Sequence, residues 1–193
     1  NLYEIFENKY NDMVVDEFGG ESISEIVLLK TDEDNDSTLV ELYKNEQQGI
    51  VLLDKAIIEN LTISNSIKSG KVSNDRKGFI VNTSKDNNVA NIHMFSIENN
   101  KIKNLLKSGS VEKDKVPNVD VPLPRDIDDD GILEFAIQNI ENSSSTDDAN
   151  ISWTTEWYVW DGKDSIALKK INYYDEKLNI SLDIPIDWKD NIK

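Results

Sequence analysis

The chain has 193 residues, 38% of them hydrophobic and 30% charged, a balance that supports a buried core and excludes a disordered tail. Its formal net charge of −16 with only two arginines, Arg76 and Arg125, argues against nucleic acid, because phosphate binding needs clustered Lys and Arg. With no Cys and a single His, His93, disulfides and thiolate metal sites are excluded, and His-based zinc or triad chemistry lacks its groups.

No apolar run reaches the roughly 18 residues a membrane helix needs. The chain opens on Asn1 rather than Met, and we expect that a segment ahead of it has been removed. Gly, Asn and Asp turn signals between short alternating runs favour many short strands. The fold class expected is therefore all-β.

Residues 1–11 read as a connector. The first unit, about 12–55, contains Met13-Val14-Val15, a turn from Asp16 to Ser22, and the strand Ile23 to Leu29. It continues with Ser37 to Lys44, the turn Asn45 to Gly49, and Ile50 to Leu53. A second unit, about 66–107, pairs Ser69–Ser73 with Gly78–Val81 and then Ala90–Ile97 with Ile102–Leu106. Val116 to Pro124 follows, its prolines suiting an inner or edge strand with few ladder bonds.

The third unit, about 119–171, begins with a strand pair split by an acidic stretch and ends in the hairpin Thr155–Trp160, Asp161–Lys163, Ser165–Leu168. Residues 172–193 hold one more alternating run, Asn179 to Pro185, and form a terminal strand or the start of another module. Four antiparallel strands per unit, repeated at roughly 50 to 60 residues, is the behaviour of β-propeller blades. Rings typically need about four to eight blades. Three blades therefore belong to a larger or an incomplete propeller.

The acidic stretch Asp126-Ile127-Asp128-Asp129-Asp130-Gly131-Ile132-Leu133-Glu134 places five carboxylates in nine residues. Asp126, Asp128 and Asp130 occupy positions 1, 3 and 5, so alternate side chains turn toward a common centre, and Gly131 permits the bend that brings in the carbonyl of Ile132. Glu134 at position 9 supplies a fourth acid. Hard oxygen donors in a flexible ring suit Ca²⁺ better than Mg²⁺. An EF-hand is excluded, because its twelfth position is a bidentate Glu and here it is Ile137.

The run from Asp126 to Ile137, DIDDDGILEFAI, resembles the calcium loop of FG-GAP and VCBS-type repeats, whose pattern is D-x-D-x-D-G-x-x-D/E leading into a hydrophobic strand. That resemblance implies propeller blades in which the loop joins the first two strands, with a calcium ion held by Asp126, Asp128, Asp130, Ile132 and Glu134. In the first unit the matching stretch Glu17 to Glu25 keeps Glu21 and Glu25 but has Gly19 in place of a ligand and Ser22 in place of Gly. In the second, Ser73 to Gly78 is short and basic, and no metal is expected there. VVDEF at 14–18, SEIVLLKTD at 24–32, WYVWDGK at 157–163 and IPIDW at 184–188 are similar to a group of predicted lipoproteins of low-GC Gram-positive bacteria.

Other features compete for attention. Asp32 to Ser37 also alternates acids, but it lacks Gly at position 6 and has Val40 at position 9, so it reads as a solvated hairpin turn. Asp147-Asp148 reads as part of a mobile Ser-rich loop. Trp153 and Trp157 point one way from their strand and Tyr158 and Trp160 the other, which reads as packing ahead of sugar stacking. His93 reads as structural. Without a catalytic centre in the sequence, the expected function is non-enzymatic: an extracytoplasmic, calcium-stabilised binding or scaffold module of a bacterial surface lipoprotein, contacting a protein or glycan. The alternative is a carbohydrate-binding or glycan-acting domain using loops between blades.

Overall fold

A computed structural model describes residues 10–19, 24–47, 49–59, 64–84, 89–106, 111–114, 121–142, 152–175 and 177–191. The connector at 1–11, apart from its last two residues, and the loop holding Asp147-Asp148 lie outside them. Thirteen strands and one 3-10 helix are present among the described residues.

The first sheet is a meander of β1 (Asp12–Asp16), β2 (Glu25–Asp32), β3 (Ser37–Glu46) and β4 (Gly49–Glu59) in chain order. The second runs β5 (Ser64–Ser73), β6 (Arg76–Ser84), β7 (Val89–Glu98) and β8 (Lys101–Asn104), with β9 (Val111–Asp114) also pairing β7. The third comprises β10 (Phe135–Asn142), β11 (Ser152–Trp160), β12 (Ile166–Asp175) and β13 (Ile180–Ile184). Every named pairing is antiparallel. The fold is thus all-β, built from open meanders. The alternating run at 179–185 supplies β13, which pairs β12 and ends the third sheet, and the short helix Ile186–Asn191 follows.

Two-faced hydrophobicity explains how the sheets stack. Val27, Leu28 and Leu29 are consecutive and all fully buried, so β2 hides both its faces. Register decides which face each side chain takes. Leu29 pairs Val40 and Val27 pairs Leu42 on one face, while Leu28 pairs Glu41 and Ile26 pairs Tyr43 on the other.

The Val27, Leu29, Val40 and Leu42 face packs against Phe79, Val81, Phe95 and Ile97 of the second sheet. The opposite face of that sheet, with Val72, Ile80 and Met94, packs against Leu133, Phe135, Ile137 and Trp160. The second sheet is therefore a filling between two others. Each fully buried large apolar side chain contributes about 1.5–3 kcal/mol. Gly78 permits the tightest approach, since a Cβ there would lie 2.3 Å from the Phe95 carbonyl oxygen.

The first and third sheets share finer detail. The β3–β4 pairing of the first and the β11–β12 pairing of the third each carry a bulge beside a Tyr, between Leu42 and Tyr43 and between Trp157 and Tyr158. In each, that Tyr donates its hydroxyl to the Glu two residues earlier, Tyr43 to Glu41 at 2.7 Å and Tyr158 to Glu156 at 2.6 Å. Both glutamates also meet lysines: Lys30 and Lys55 at 2.6 and 2.5 Å from Glu41, and Lys189 at 3.1 Å from Glu156. In the second sheet His93 and Phe95 stack at this place, and the fourth strand is interrupted there between β8 and β9. No helix among the described residues is long and apolar enough to cross a membrane.

Burial alone would raise the Glu41 pKa, but hydrogen bonds from Lys30, Lys55 and Tyr43 outweigh it and bring the carboxyl from 4.5 down to about 2. A depressed carboxylate stabilises fully above its unfolded value and loses that contribution as pH falls through its folded one. Glu41→Gln should cost about 1–3 kcal/mol at neutral pH and flatten the fall in stability between pH 4.5 and 2. Urea titrations at pH 7, 4 and 2.5 read this directly, and parallel losses in both proteins across that range would contradict it.

Candidate metal centre

The acidic loop bridges the second and third sheets. At its base the backbone N–H and carbonyl of Arg125 exchange hydrogen bonds with those of Glu134, both 3.0 Å, and Leu133 donates its N–H to the Lys71 carbonyl of β5 at 2.8 Å. One bridging pair thus precedes the loop, where the repeat pattern implies a strand, and β10 follows it. The bend needs left-handed backbone at two places, Asp129 with φ 61° and Gly131 with φ 84°. Asp tolerates this conformation and Gly adopts it freely.

Three of the five predicted site residues converge. Carboxylate oxygens of Asp126, Asp128 and Asp130 all lie within 4.8 Å of one another. Backbone donors fix two of them: Gly131 N–H reaches Asp126 Oδ2 at 2.7 Å and Ile132 N–H reaches Asp130 Oδ1 at 2.9 Å. Ile132 is placed by that bond and by its bridge to Lys71. Glu134 stands outside the trio, fully buried at the loop base, with Oε2 accepting the Ile127 N–H at 3.0 Å.

The loop's polar inventory does not close. Glu134 Oε1 and Asp126 Oδ1 are buried with no hydrogen-bond partner, and such atoms carry the full desolvation penalty of an unpaired polar group. Burial pushes the Glu134 pKa upward, and the charges of Asp128 and Asp130 push it further, against the pull of the Ile127 N–H. The buried carboxyl therefore feels Asp128 and Asp130 electrostatically.

Lys169 of β12 is a member of the site with no signal in the loop's own sequence. Its Nζ lies 2.9 Å from Asp128 Oδ2 and 3.1 Å from Asp130 Oδ2, which holds the lysine pKa well above its usual value. The Ile132 N–H and then Lys169 hold the Asp130 carboxyl below the ordinary range. Lys169 is the extra residue of the β-bulge, because Trp157 pairs Lys170 while Tyr158 pairs Leu168. The corresponding extra residue of the first sheet is Leu53.

The oxygens present fit a calcium ion. Donors around Ca²⁺ sit at about 2.3–2.6 Å and so lie no more than about 5 Å apart, a span the trio already meets. Three carboxylates and a fourth acid with a free buried oxygen are the hard donor chemistry such an ion takes.

The first sheet carries part of the same device. Phe18 N–H donates to Glu25 Oε2 at 2.9 Å, seven residues apart like Ile127 and Glu134. Glu25 is 2% exposed and Phe18 packs on Phe79 with ring centroids 5.7 Å apart. Glu21 and Ser22 of that loop lie outside the described residues. In the second sheet the turn after β5 is closed by Ser73 donating to Asp75 at 2.8 Å.

The remaining acidic and aromatic features resolve into structure. Asp32 accepts both the N–H and the side-chain amide of Asn35, making Asp32 to Ser37 a capped β2–β3 turn. Asp161 likewise accepts three successive N–H groups, from Lys163, Asp164 and Ser165. Trp153, Trp157 and Trp160 are buried, and Arg125 lies over the Trp157 ring at 4.9 Å. His93 sits 3.4 Å from Thr83 Oγ1 within the stack on Phe95. Comparison with known proteins finds no matching family model, curated protein or solved structure.

Two substitutions should separate the bend from the charge in chelator. Gly131→Ala finds open space for its Cβ but must hold φ 84°, so thermal unfolding should report a loss of about 1 kcal/mol. Glu134→Gln, which removes a buried unpaired charge, should match or exceed the wild type. A Glu134→Gln protein less stable than Gly131→Ala would refute this account of the loop base.

Proposed function

We propose that this chain is a non-enzymatic binding or scaffold module of a bacterial surface protein, its third sheet held by a calcium ion at the acidic loop. The observation that carries this reading is the pair of unpartnered buried oxygens, Asp126 Oδ1 and Glu134 Oε1, beside three carboxylates already gathered within 4.8 Å. Asp126, Asp128, Asp130, Glu134 and the Ile132 carbonyl would hold the ion. Bound calcium supplies charge neutralisation and a cross-link between the two ends of the loop.

Face-to-face stacking of meanders with a shared bulge supports the further reading that the sheets are blades of a propeller-like array, larger than or incomplete within this chain. The surface it presents would bind a protein or a glycan. Burial of Trp153, Trp157 and Trp160 removes these three as platforms for sugar stacking and leaves Trp188 exposed, and the scaffold reading is set ahead of a glycan-acting one.

A dissociation constant near 0.1 mM, in the weak range of extracellular modules, would make about 1 mM calcium worth roughly 1.4 kcal/mol of folding free energy. Such a site is unfilled at the roughly micromolar calcium that cytosolic sensors answer. That reading goes with an extracytoplasmic setting.

Calorimetric titration of the purified chain with calcium should give a saturable heat at a stoichiometry of one, and Asp128→Ala should abolish it. Absence of saturable heat from the wild type, or equal heat from both proteins, removes the site.

A further inference from the structure

We propose that Lys169 is a tethered counter-cation that occupies the acidic loop when calcium is scarce and that calcium must displace, an inference resting on the calcium reading above. The ammonium spans Asp128 and Asp130 at 2.9 and 3.1 Å, the two exposed members of the trio. It leaves the deeper oxygens, Asp126 Oδ1 and Glu134 Oε1, without partners. One charge therefore meets Asp128 and Asp130, and no hydrogen-bond donor meets Asp126 Oδ1 or Glu134 Oε1.

The placement is built into the sheet. A bulge inserts one residue that the partner strand does not match and re-aims its side chain. In the third sheet that residue is Lys169, whereas its counterpart in the first sheet is Leu53, packed against the apolar core. The same backbone irregularity thus delivers a methyl-bearing side chain to a core in one sheet and an ammonium to a carboxylate cluster in the other. Lysine suits the task, being a compact point charge on a flexible stem that can withdraw.

A divalent ion that takes all four acids must release the ammonium, because both claim Asp128 and Asp130. Two consequences follow. The loop stays ordered without calcium, and calcium affinity is lower than the four acids alone would give.

The test compares wild type, Lys169→Met and Lys169→Arg by calcium calorimetry and by thermal unfolding in chelator and in 1 mM calcium chloride. Lys169→Met should bind calcium on the order of fivefold to tenfold more tightly. It should melt lower than wild type in chelator and recover in calcium, while Lys169→Arg should stay close to wild type. Side-chain NMR of lysine in the wild type should show the Lys169 signal moving with the same midpoint as the binding heat, a readout that survives if Lys169→Met fails to fold. Calcium binding with equal affinity in wild type and Lys169→Met, or with an unmoved Lys169 signal, overturns the displacement and spares the calcium site. No saturable heat in any protein overturns both.

Discussion

The second sheet must bury two apolar faces, and that constraint orders the rest of the molecule. Alternation along β6 and β7 sends Phe79, Val81 and Phe95 to one side and Ile80 and Met94 to the other. Neither set can face water, so a sheet is required on each side. Chain connectivity supplies them as the preceding and following meanders. The acidic loop inherits its position from this arrangement: Leu133 packs into the second core and its N–H docks on Lys71 of β5, so the residues ahead of it are held at the seam between two sheets.

Local chemistry made much of this legible in sequence. The hairpins at Ser37–Leu53, Ala90–Leu106 and Thr155–Leu168 carry polar turns between runs that alternate or are wholly apolar, and all three form. Asn99 and Asn100 adopt the positive φ of a tight turn, as their type predicts. Asp126, Asp128 and Asp130 converge because spacing of two on an extended bend is a local geometric fact. The failures lie where partners are distant in the chain. Nothing local marks Lys169 as the cation facing Asp128, 41 residues away, since its placement depends on a bulge whose register is set by β11. The split of the second sheet's fourth strand into β8 and β9 was equally hidden, because a break in pairing leaves the turn signals intact. Before the acidic loop, the prolines at 117–124 suggest a strand, yet the described part of that run, 121–124, forms none, and one bridging pair, Arg125 with Glu134, follows it.

Charge and fold pull against each other in the loop. Gathering the trio within 4.8 Å in a chain of net charge −16 is electrostatically costly, and burying Glu134 beneath it costs more. Backbone donors at Ile127, Gly131 and Ile132 offset part of this by hydrogen-bonding the charged forms. Lys169 offsets another part from above. What is left over is concentrated at two buried oxygens, Asp126 Oδ1 and Glu134 Oε1, which none of these donors reaches.

The first sheet carries the same clamp with a different residue at the bulge. Glu25 reaches the Phe18 amide as Glu134 reaches the Ile127 amide, so in both sheets a buried Glu at the head of a strand turns the preceding loop back onto itself. Yet the first loop has Gly19 where the third has Asp128, and at the bulge it has Leu53 where the third has Lys169. The lysine facing Asp128 and Asp130 in the third sheet thus stands where the first sheet has an apolar side chain. A lysine at a bulge that folds with a leucine in the first sheet therefore answers to the carboxylates gathered beside it and not to the demands of the bulge itself.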